Sequence, residues 1–259
     1  MGRVKLTLAY TGTAYAGWQL QSPNSGLNTI QYALEKAITA VTGEHIRVHG
    51  SGRTDAGVHA EGQIAHFDTP ERCCILDWQR ALNAQLPPDI RVLEATPASD
   101  TFDACRDAIR KQYAYTLYTG NTVPPSLSAF VWNIAGQLDD KAMREAASLL
   151  VGQHDFASFQ NVGTPVRNTT RTLSAIWEES GHAGSFVCPP SWPVTTWFFE
   201  GEGFLKQMVR NLMGLLVWVG EGKLTPSSLP AIFEARSRKA LPSPCAPAKG
   251  LTLMRVSYR

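Results

Sequence analysis

Polar and apolar positions alternate at the start of the chain. Val4, Leu6, Leu8 and Tyr10 are separated by polar or small residues, a period of two that predicts a strand with one buried face. Beyond Asn28 the period changes. Ile30, Ala33, Leu34, Ala37, Ile38 and Val41 fall at i, i+3, i+4, i+7, i+8 and i+11, one apolar stripe on a helix. Gly43 follows as the C-cap candidate, because glycine takes the left-handed backbone that ends helices. Short strands are expected over 46–49 and 63–68. Asp77 offers an N-cap for a helix carrying Trp78, Ala81 and Leu82, which Pro87-Pro88 stops. A strand over 90–95 completes the order βαββαβ.

The same order returns. Strands are expected over 112–119, 172–178, 195–200 and 251–258, with a helix from Asp139 to about Val151 and another over 204–219. The expected fold is therefore α+β: two ferredoxin-like βαββαβ halves, residues 1–108 and 109–259. Their sheets would be mainly antiparallel with helices on one side, and could join into one continuous sheet. The duplication lies in element order, since the residues themselves do not repeat. Val187–Pro193, VCPPSWP, has three prolines between two strands. It cannot be a central strand and reads as an exposed hairpin extension.

Composition narrows the class. With 259 residues, 44% hydrophobic and 18% charged, the chain is an ordinary globular one of one or two domains. The formal net charge is only +2, but it is unevenly spread. Residues 1–105 hold 8 basic and 11 acidic residues and residues 106–259 hold 16 and 11, so the second half permits a polyanion-binding face. Cys73, Cys74, Cys105, Cys188 and Cys245 are odd in number and form no C-x-x-C. They argue against a disulfide framework or structural zinc and suit a reduced, cytoplasmic protein. The start MGRVKLTLAY turns polar too soon for a signal peptide. The uncharged stretches 120–138 and 180–199 are broken by Pro, Gly and Ser, so no membrane span is expected.

The densest chemical signal is Ser51-Gly52-Arg53-Thr54-Asp55-Ala56-Gly57-Val58-His59-Ala60. Glycine permits positive φ and close approach of a ligand to the backbone. Arg53 and Asp55 are two apart, so an extended loop sends both side chains the same way. A guanidinium there favours an ionised carboxylate, which serves as nucleophile or base. The same ten residues also read as a Gly-rich hairpin with a surface ion pair. His49, His59 and His66 lie near Glu61 and Asp68, but without H-x-x-x-H or H-E-x-x-H spacing. His66 reads better as a half-buried strand residue than as a metal ligand. No G-x-x-x-x-G-K-[ST] loop occurs, so no nucleotide cofactor is expected. In the final helix Lys206, Gln207, Arg210, Asn211 and Gly214 form a polar stripe. It reads as a solvated face or, with two cations and no carboxylate, as a match for phosphate oxygens.

These residues carry a resemblance. S-G-R-T-D-A-G-V-H-A resembles the signature loop of the TruA-type tRNA pseudouridine synthases. Tyr10–Gln19, Leu138–Phe159, Phe204–Leu212 and Ala246–Tyr258 resemble further segments of that family, in order along the chain. The resemblance implies an isomerase that needs no cofactor. It would break the N1–C1′ bond of a uridine in tRNA, turn the uracil and bond C5 to C1′, at positions 38–40 of the anticodon stem-loop. It implies Asp55 as the catalytic carboxylate, Arg53 and Arg210 as arginines near it, and Tyr113 as the tyrosine that stacks on the target base. Lys206, Gly52 and Thr54 are further candidates for substrate contact, and a homodimer is implied. On pattern alone Tyr113 shares a strand face with Tyr115 and Leu117 and reads as a core aromatic. Two departures stand out: Thr11 replaces an acid common in the family, and Phe102–Ala108 has Cys105 where the family has arginine, with Arg106 one place later.

Other classes fit less well. An RNA-binding module of the RRM type should show an R/K-G-F/Y-G/A-F-V-x-F/Y run, and none occurs. A metal nuclease needs clustered carboxylates, and a glycosidase a second catalytic one. Near Asp55 the sequence offers Glu61 and Asp68.

Overall fold

The computed structural model describes residues 2–20, 27–73, 75–161, 163 and 168–259. Cys74, one of the five cysteines, lies outside the described residues. The chain forms two compact units, one running to Ile109 and including Thr252–Arg259, the other Arg110–Leu251.

In the first unit β1 (Gly2–Tyr10) buries Val4, Leu6, Leu8 and Tyr10 and leaves the alternate residues half-exposed. Helix α1 (Ile30–Thr42) starts at Thr29, whose hydroxyl accepts the Tyr32 N–H at 3.2 Å. It ends at Gly43 with φ 77°. β2 is shorter and later than expected, His49–Gly50. The reason is a competition for backbone groups. The Val48 N–H donates to Glu35 and its carbonyl accepts from Gln31, both on α1, so helix side chains take what a strand ladder would use. β3 (His59–Thr69) begins four residues earlier than expected and pairs antiparallel with β1 across a bulge between Leu8 and Tyr10. Asp77 caps α2 (Trp78–Asn83) as expected, accepting from the Arg80 N–H at 3.0 Å. β4 (Ile90–Ala98) pairs antiparallel with β1, giving the order β4-β1-β3 with β2 beyond β3. The Asn83 amide bonds both the N–H and the carbonyl of Val92, and Gln79 donates to the Leu93 carbonyl. Side chains of α2 thus occupy polar groups that a bare strand edge would offer to another chain.

The second unit holds β5 (Arg110–Tyr118), with the short β6 (Trp132–Asn133) parallel to it. Asp139 caps α3 (Asp140–Leu150) through the Ala142 N–H at 2.9 Å. β7 (Gly152–Asp155), β8 (Thr170–Ser180) and β11 (Val194–Gly201) complete an antiparallel sheet in the order β5-β11-β8-β7. Between β8 and β11 lies a hairpin of β9 (His182–Ala183) and β10 (Phe186–Val187). The VCPPSWP segment is only partly the exposed extension expected. Phe186 and Val187 are 70% and 71% exposed, but Cys188 is buried against Tyr118, Leu127, Val131 and Val194, and Trp192 packs beside it. Three prolines keep the segment out of the larger sheet, and Cys188 and Trp192 fold back onto the unit. The helices α4 (Met208–Gly220) and α5 (Leu229–Ala235) follow. The closing strand, β12 (Leu251–Ser257), runs parallel to β3 in the first unit at Thr252–His59 and Leu253–Ala60. The fold class is α+β with mostly antiparallel pairing, and among the described residues no helix is long and apolar enough to cross a membrane.

Residues 102–107 form a strap pinned to the first unit. Arg3 donates to the Phe102 carbonyl at 2.7 Å and Tyr258 to the Ala104 carbonyl at 2.6 Å. The Ala104 N–H donates to His66 Nδ1 at 3.1 Å. Asp103 accepts from the N–H groups of Cys105 and Arg106 and pairs with the Arg106 side chain. His66 is 4% exposed and stacks on His49, a strand histidine buried more fully than the half-buried one the pattern suggested. Burial, with the nearby Arg3 and His49, holds its pKa below the ordinary value.

That depression has a sign. The folded state resists a proton that the unfolded chain accepts near pH 6.5. The contribution is therefore fully present above that pH and is lost as pH falls through the lower folded-state value. Stability followed by urea unfolding should decline from pH 7 to 5. His66→Asn, which keeps an acceptor for Ala104 but does not titrate, should give a shallower decline. Superimposable profiles would show that His66 is not the group responsible.

Candidate active site

In the first unit the loop from Ser51 to Val58 rests on a buried polar group of four. Ser51 Oγ donates to Gln63 Oε1 at 2.6 Å, and Gln63 Nε2 donates to the Gly52 carbonyl at 3.0 Å. The hydroxyls of Tyr10 and Thr54 are bonded at 2.9 Å, and Gln63 Nε2 reaches the Tyr10 hydroxyl at 3.5 Å. All four side chains are buried, Ser51 and Gln63 completely. Burial pushes the Tyr10 phenol up to about 12, against the opposing effect of its bonds from Thr54 and Gln63. It therefore stays neutral and can donate.

Backbone contacts hold the loop from its other side. The Trp18 N–H donates to the Thr54 carbonyl at 3.0 Å and the Gly57 N–H to the Tyr15 carbonyl at 3.3 Å. Gly17 has φ 92°, and a Cβ there would lie 2.6 Å from the Thr54 carbonyl oxygen. The segment after β1 can approach the loop this closely because it carries glycine. The Asp55 carbonyl accepts from the Val58 N–H at 3.1 Å, closing a turn in which Asp55 is half-buried. Arg53 is exposed, and its Nε donates to Gln19 Oε1 at 3.1 Å. Thr54, a candidate for substrate contact, turns its hydroxyl inward to Tyr10. Gly52 offers its carbonyl to Gln63. His59 Nδ1 accepts from the Gly12 N–H at 3.1 Å. Among the described residues no three His, Cys, Asp or Glu side chains gather as a metal site would need.

In the second unit Tyr113 lies on β5, 8% exposed, with its ring edge-on to Phe204 at 5.1 Å. Tyr115, two residues on, is fully buried and donates to the Pro247 carbonyl at 2.7 Å. Helix α4 starts at Met208, not Phe204, because Gln207 has left-handed φ 60°. Lys206 and Gln207 therefore precede the helix, and Lys206 is exposed. The polar stripe expected from the spacing is not a surface stripe. Asn211 is fully buried and donates to the Phe159 carbonyl at 2.8 Å, and Gly214 is buried against residues 244–246. Spacing identifies a shared helix face, but polar side chains also satisfy buried backbone carbonyls. Arg210 lies in the first turn. Its Nε donates to the Ala246 carbonyl at 2.7 Å, and its own carbonyl accepts the Ala246 N–H at 3.1 Å.

The sequence pattern does not mark Tyr10 and Gln63, which support the Asp55 loop from below, or Gln19, which holds Arg53. Gln63 carried a weak signal: a polar residue in the apolar run Gln63-Ile64-Ala65 of a strand. Gln31 and Glu35 carried another, an i, i+4 polar pair beside the apolar stripe of α1.

A family profile described as tRNA pseudouridine synthase matches residues 7–106 and 146–259. The chain is 52% identical over 261 residues to tRNA pseudouridine synthase A of Lawsonia intracellularis, covering 100% of both. It is 49% identical over 271 residues to the protein of that name from Oleidesulfovibrio alaskensis, covering 100% of this chain and 97% of the relative. It is 47% identical over 281 residues to that of Nitratidesulfovibrio vulgaris, covering 100% of both.

The seating of Arg210 can be tested without touching it. A Cβ on Gly214 would lie 2.0 Å from the Pro244 carbonyl oxygen, a backbone atom that has to move. Gly214→Ala is expected to destabilise the protein by ~1–3 kcal/mol through overpacking, outweighing the ~1 kcal/mol that alanine adds within a helix. A urea midpoint at or above that of the parent would show that residues 244–246 are not tightly packed on α4.

Proposed function

The chain belongs to the tRNA pseudouridine synthase family, and from that premise we propose the roles of its individual residues. The reaction is an isomerisation of uridine in tRNA: the N1–C1′ bond breaks, C5 bonds to C1′, the C5 proton leaves and N1 gains one. Nothing is gained or lost overall, so neither a redox cofactor nor ATP is required. Asp55 supplies an ionised carboxylate that opens the glycosidic bond, by attack on a sugar or base carbon or by taking a proton. The observation that carries this reading is the buried support under the Asp55 loop. A reactive carboxylate must be held within a fraction of an ångström of its target, and the Tyr10, Ser51, Thr54 and Gln63 bonds supply such rigidity.

Arg53 stands beside Asp55 on the same loop and acts with it. Tyr113 stacks on the extruded base, Arg210 and Lys206 contact the substrate from the more basic part of the chain, and Gly52 and Thr54 shape the loop that meets it. The modified uridines are those at positions 38–40 of the anticodon stem-loop, and a homodimer working in the cytoplasm positions the tRNA. The two ferredoxin-like halves, 1–108 and 109–259, are supported by the order β4-β1-β3-β2 of the first unit and the antiparallel β5-β11-β8 of the second. Mapping pseudouridine in tRNA transcripts incubated with the protein tests substrate and position together.

Asp55→Asn should lower pseudouridine formation by ~10⁴-fold or more, the scale on which loss of a central catalytic group acts, with tRNA affinity nearly unchanged in a filter-binding assay. Retained turnover would remove Asp55 from the chemistry.

Tyr113→Phe and Tyr113→Ala separate two roles. Extruding the uridine costs a few kcal/mol, and an aromatic ring beneath it returns about 1–3 kcal/mol. One carboxylate cannot easily both open the glycosidic bond and remove the C5 proton, so the Tyr113 hydroxyl is assigned the second task. Tyr113→Phe should therefore lose turnover while still binding tRNA, and Tyr113→Ala should lose both. Full turnover in Tyr113→Phe would exclude the proton relay, and in Tyr113→Ala would return the residue to the core.

A further inference from the structure

We propose that Gln19, Gln31 and Glu35 are positioning residues for Arg53, forming a head-to-tail hydrogen-bond relay that runs from a buried carboxylate in α1 to the exposed guanidinium on the Asp55 loop. The inference rests on the reading that Arg53 serves the reaction at Asp55.

The relay has three links. Arg53 Nε donates to Gln19 Oε1 at 3.1 Å, Gln19 Nε2 donates to Gln31 Oε1 at 3.0 Å, and Gln31 Nε2 donates to Glu35 Oε1 at 3.0 Å. Each amide turns its carbonyl towards the cation and its N–H towards the carboxylate. Reversing either would set donor against donor at one end and acceptor against acceptor at the other, so the charges at the two ends dictate both orientations. The far end is buried and held by several bonds. Gln31 and Glu35 are each 2% exposed. Gln31 Oε1 also accepts the Leu20 N–H at 2.9 Å, and its Nε2 also donates to the Val48 carbonyl at 3.0 Å. Glu35 Oε1 accepts the Val48 N–H at 3.1 Å, and Oε2 faces Arg47 at 3.4 Å. At the buried Gln31–Glu35 end each bond polarises the next.

Tying residues 46–48 to α1 requires Gln31, Glu35 and Val48, and nothing more. The two links through Gln19 add little to that, because a surface contact to an arginine contributes roughly 0–1 kcal/mol to stability. What they add is position. An exposed arginine side chain is otherwise free to rotate, and a shift of about 1 Å in a group near the reaction can cost ~10²-fold in rate.

The experiment is a double-mutant cycle with kcat and KM measured separately on a tRNA transcript. Gln19→Leu, at a half-exposed position, should lower kcat by roughly tenfold, with KM and the urea midpoint nearly unchanged. Glu35→Gln should act in the same direction, and if it fails to fold, Gln19→Leu decides alone. In an Arg53→Ala background, Gln19→Leu should change kcat no further, because there is no guanidinium left to position. Independent, multiplying losses would overturn the relay, as would parental kcat in Gln19→Leu beside a slow Arg53→Ala. Parental turnover in Arg53→Ala would instead overturn the role of Arg53 itself, and the relay with it.

Discussion

A loop that leaves charged side chains towards solvent must still satisfy the polar groups it buries. Around Asp55 that constraint governs the rest of the first unit. A buried donor or acceptor left without a partner costs about 1–3 kcal/mol, and Ser51, Thr54, Tyr10 and Gln63 are all buried. They are tolerated because they satisfy one another and the Gly52 carbonyl. The consequence is geometric as well as energetic. With its underside bonded, and Gly17 letting the preceding segment press against Thr54, the loop has few ways to move without breaking several bonds at once. Exposed Arg53 and half-buried Asp55 are the charged side chains that the loop leaves within reach of solvent.

The second unit meets the same constraint differently. Arg210 is seated by two bonds to Ala246, one from its side chain and one to its backbone. Those bonds form because Gly214, one turn further along α4, leaves room for residues 244–246. Asn211 faces inward and takes up the Phe159 carbonyl. A helix start that looks amphipathic by spacing is therefore tied on two sides by backbone from distant parts of the chain. The unusual φ of Gln207 sets where the helix begins, which separates exposed Lys206 from helical Arg210.

Features governed by neighbours in sequence were legible. Asp77 and Asp139 cap the helices they were expected to cap, and Gly43 ends α1, because capping is decided within a few residues. Strands β1, β4, β5, β8 and β11 stand where they were expected, within a few residues at their ends. The failures share a cause. β2 is displaced because α1 side chains take the backbone of Val48. α4 starts late because Gln207 leaves the helical region. The expected polar stripe dissolves because Asn211 and Gly214 face buried partners.

The sequence by itself determined the order of the long strands and of α1 to α4, most boundaries of those helices and the family, since a ten-residue loop rich in glycine and charge, with four further segments in order, is a local pattern; β6, β7 and α5 had no such signal. It also singled out Asp55, because an isolated acid between two glycines needs no fold to be conspicuous. The tertiary structure decided what holds that acid in place. Tyr10 and Gln63 are 53 residues apart and Gln19 and Arg53 are 34 apart, and no periodicity links such positions. Whether a glutamine in a strand is a surface residue or the support of a loop depends on which backbone groups the fold buries beside it. That is settled only when distant segments pack.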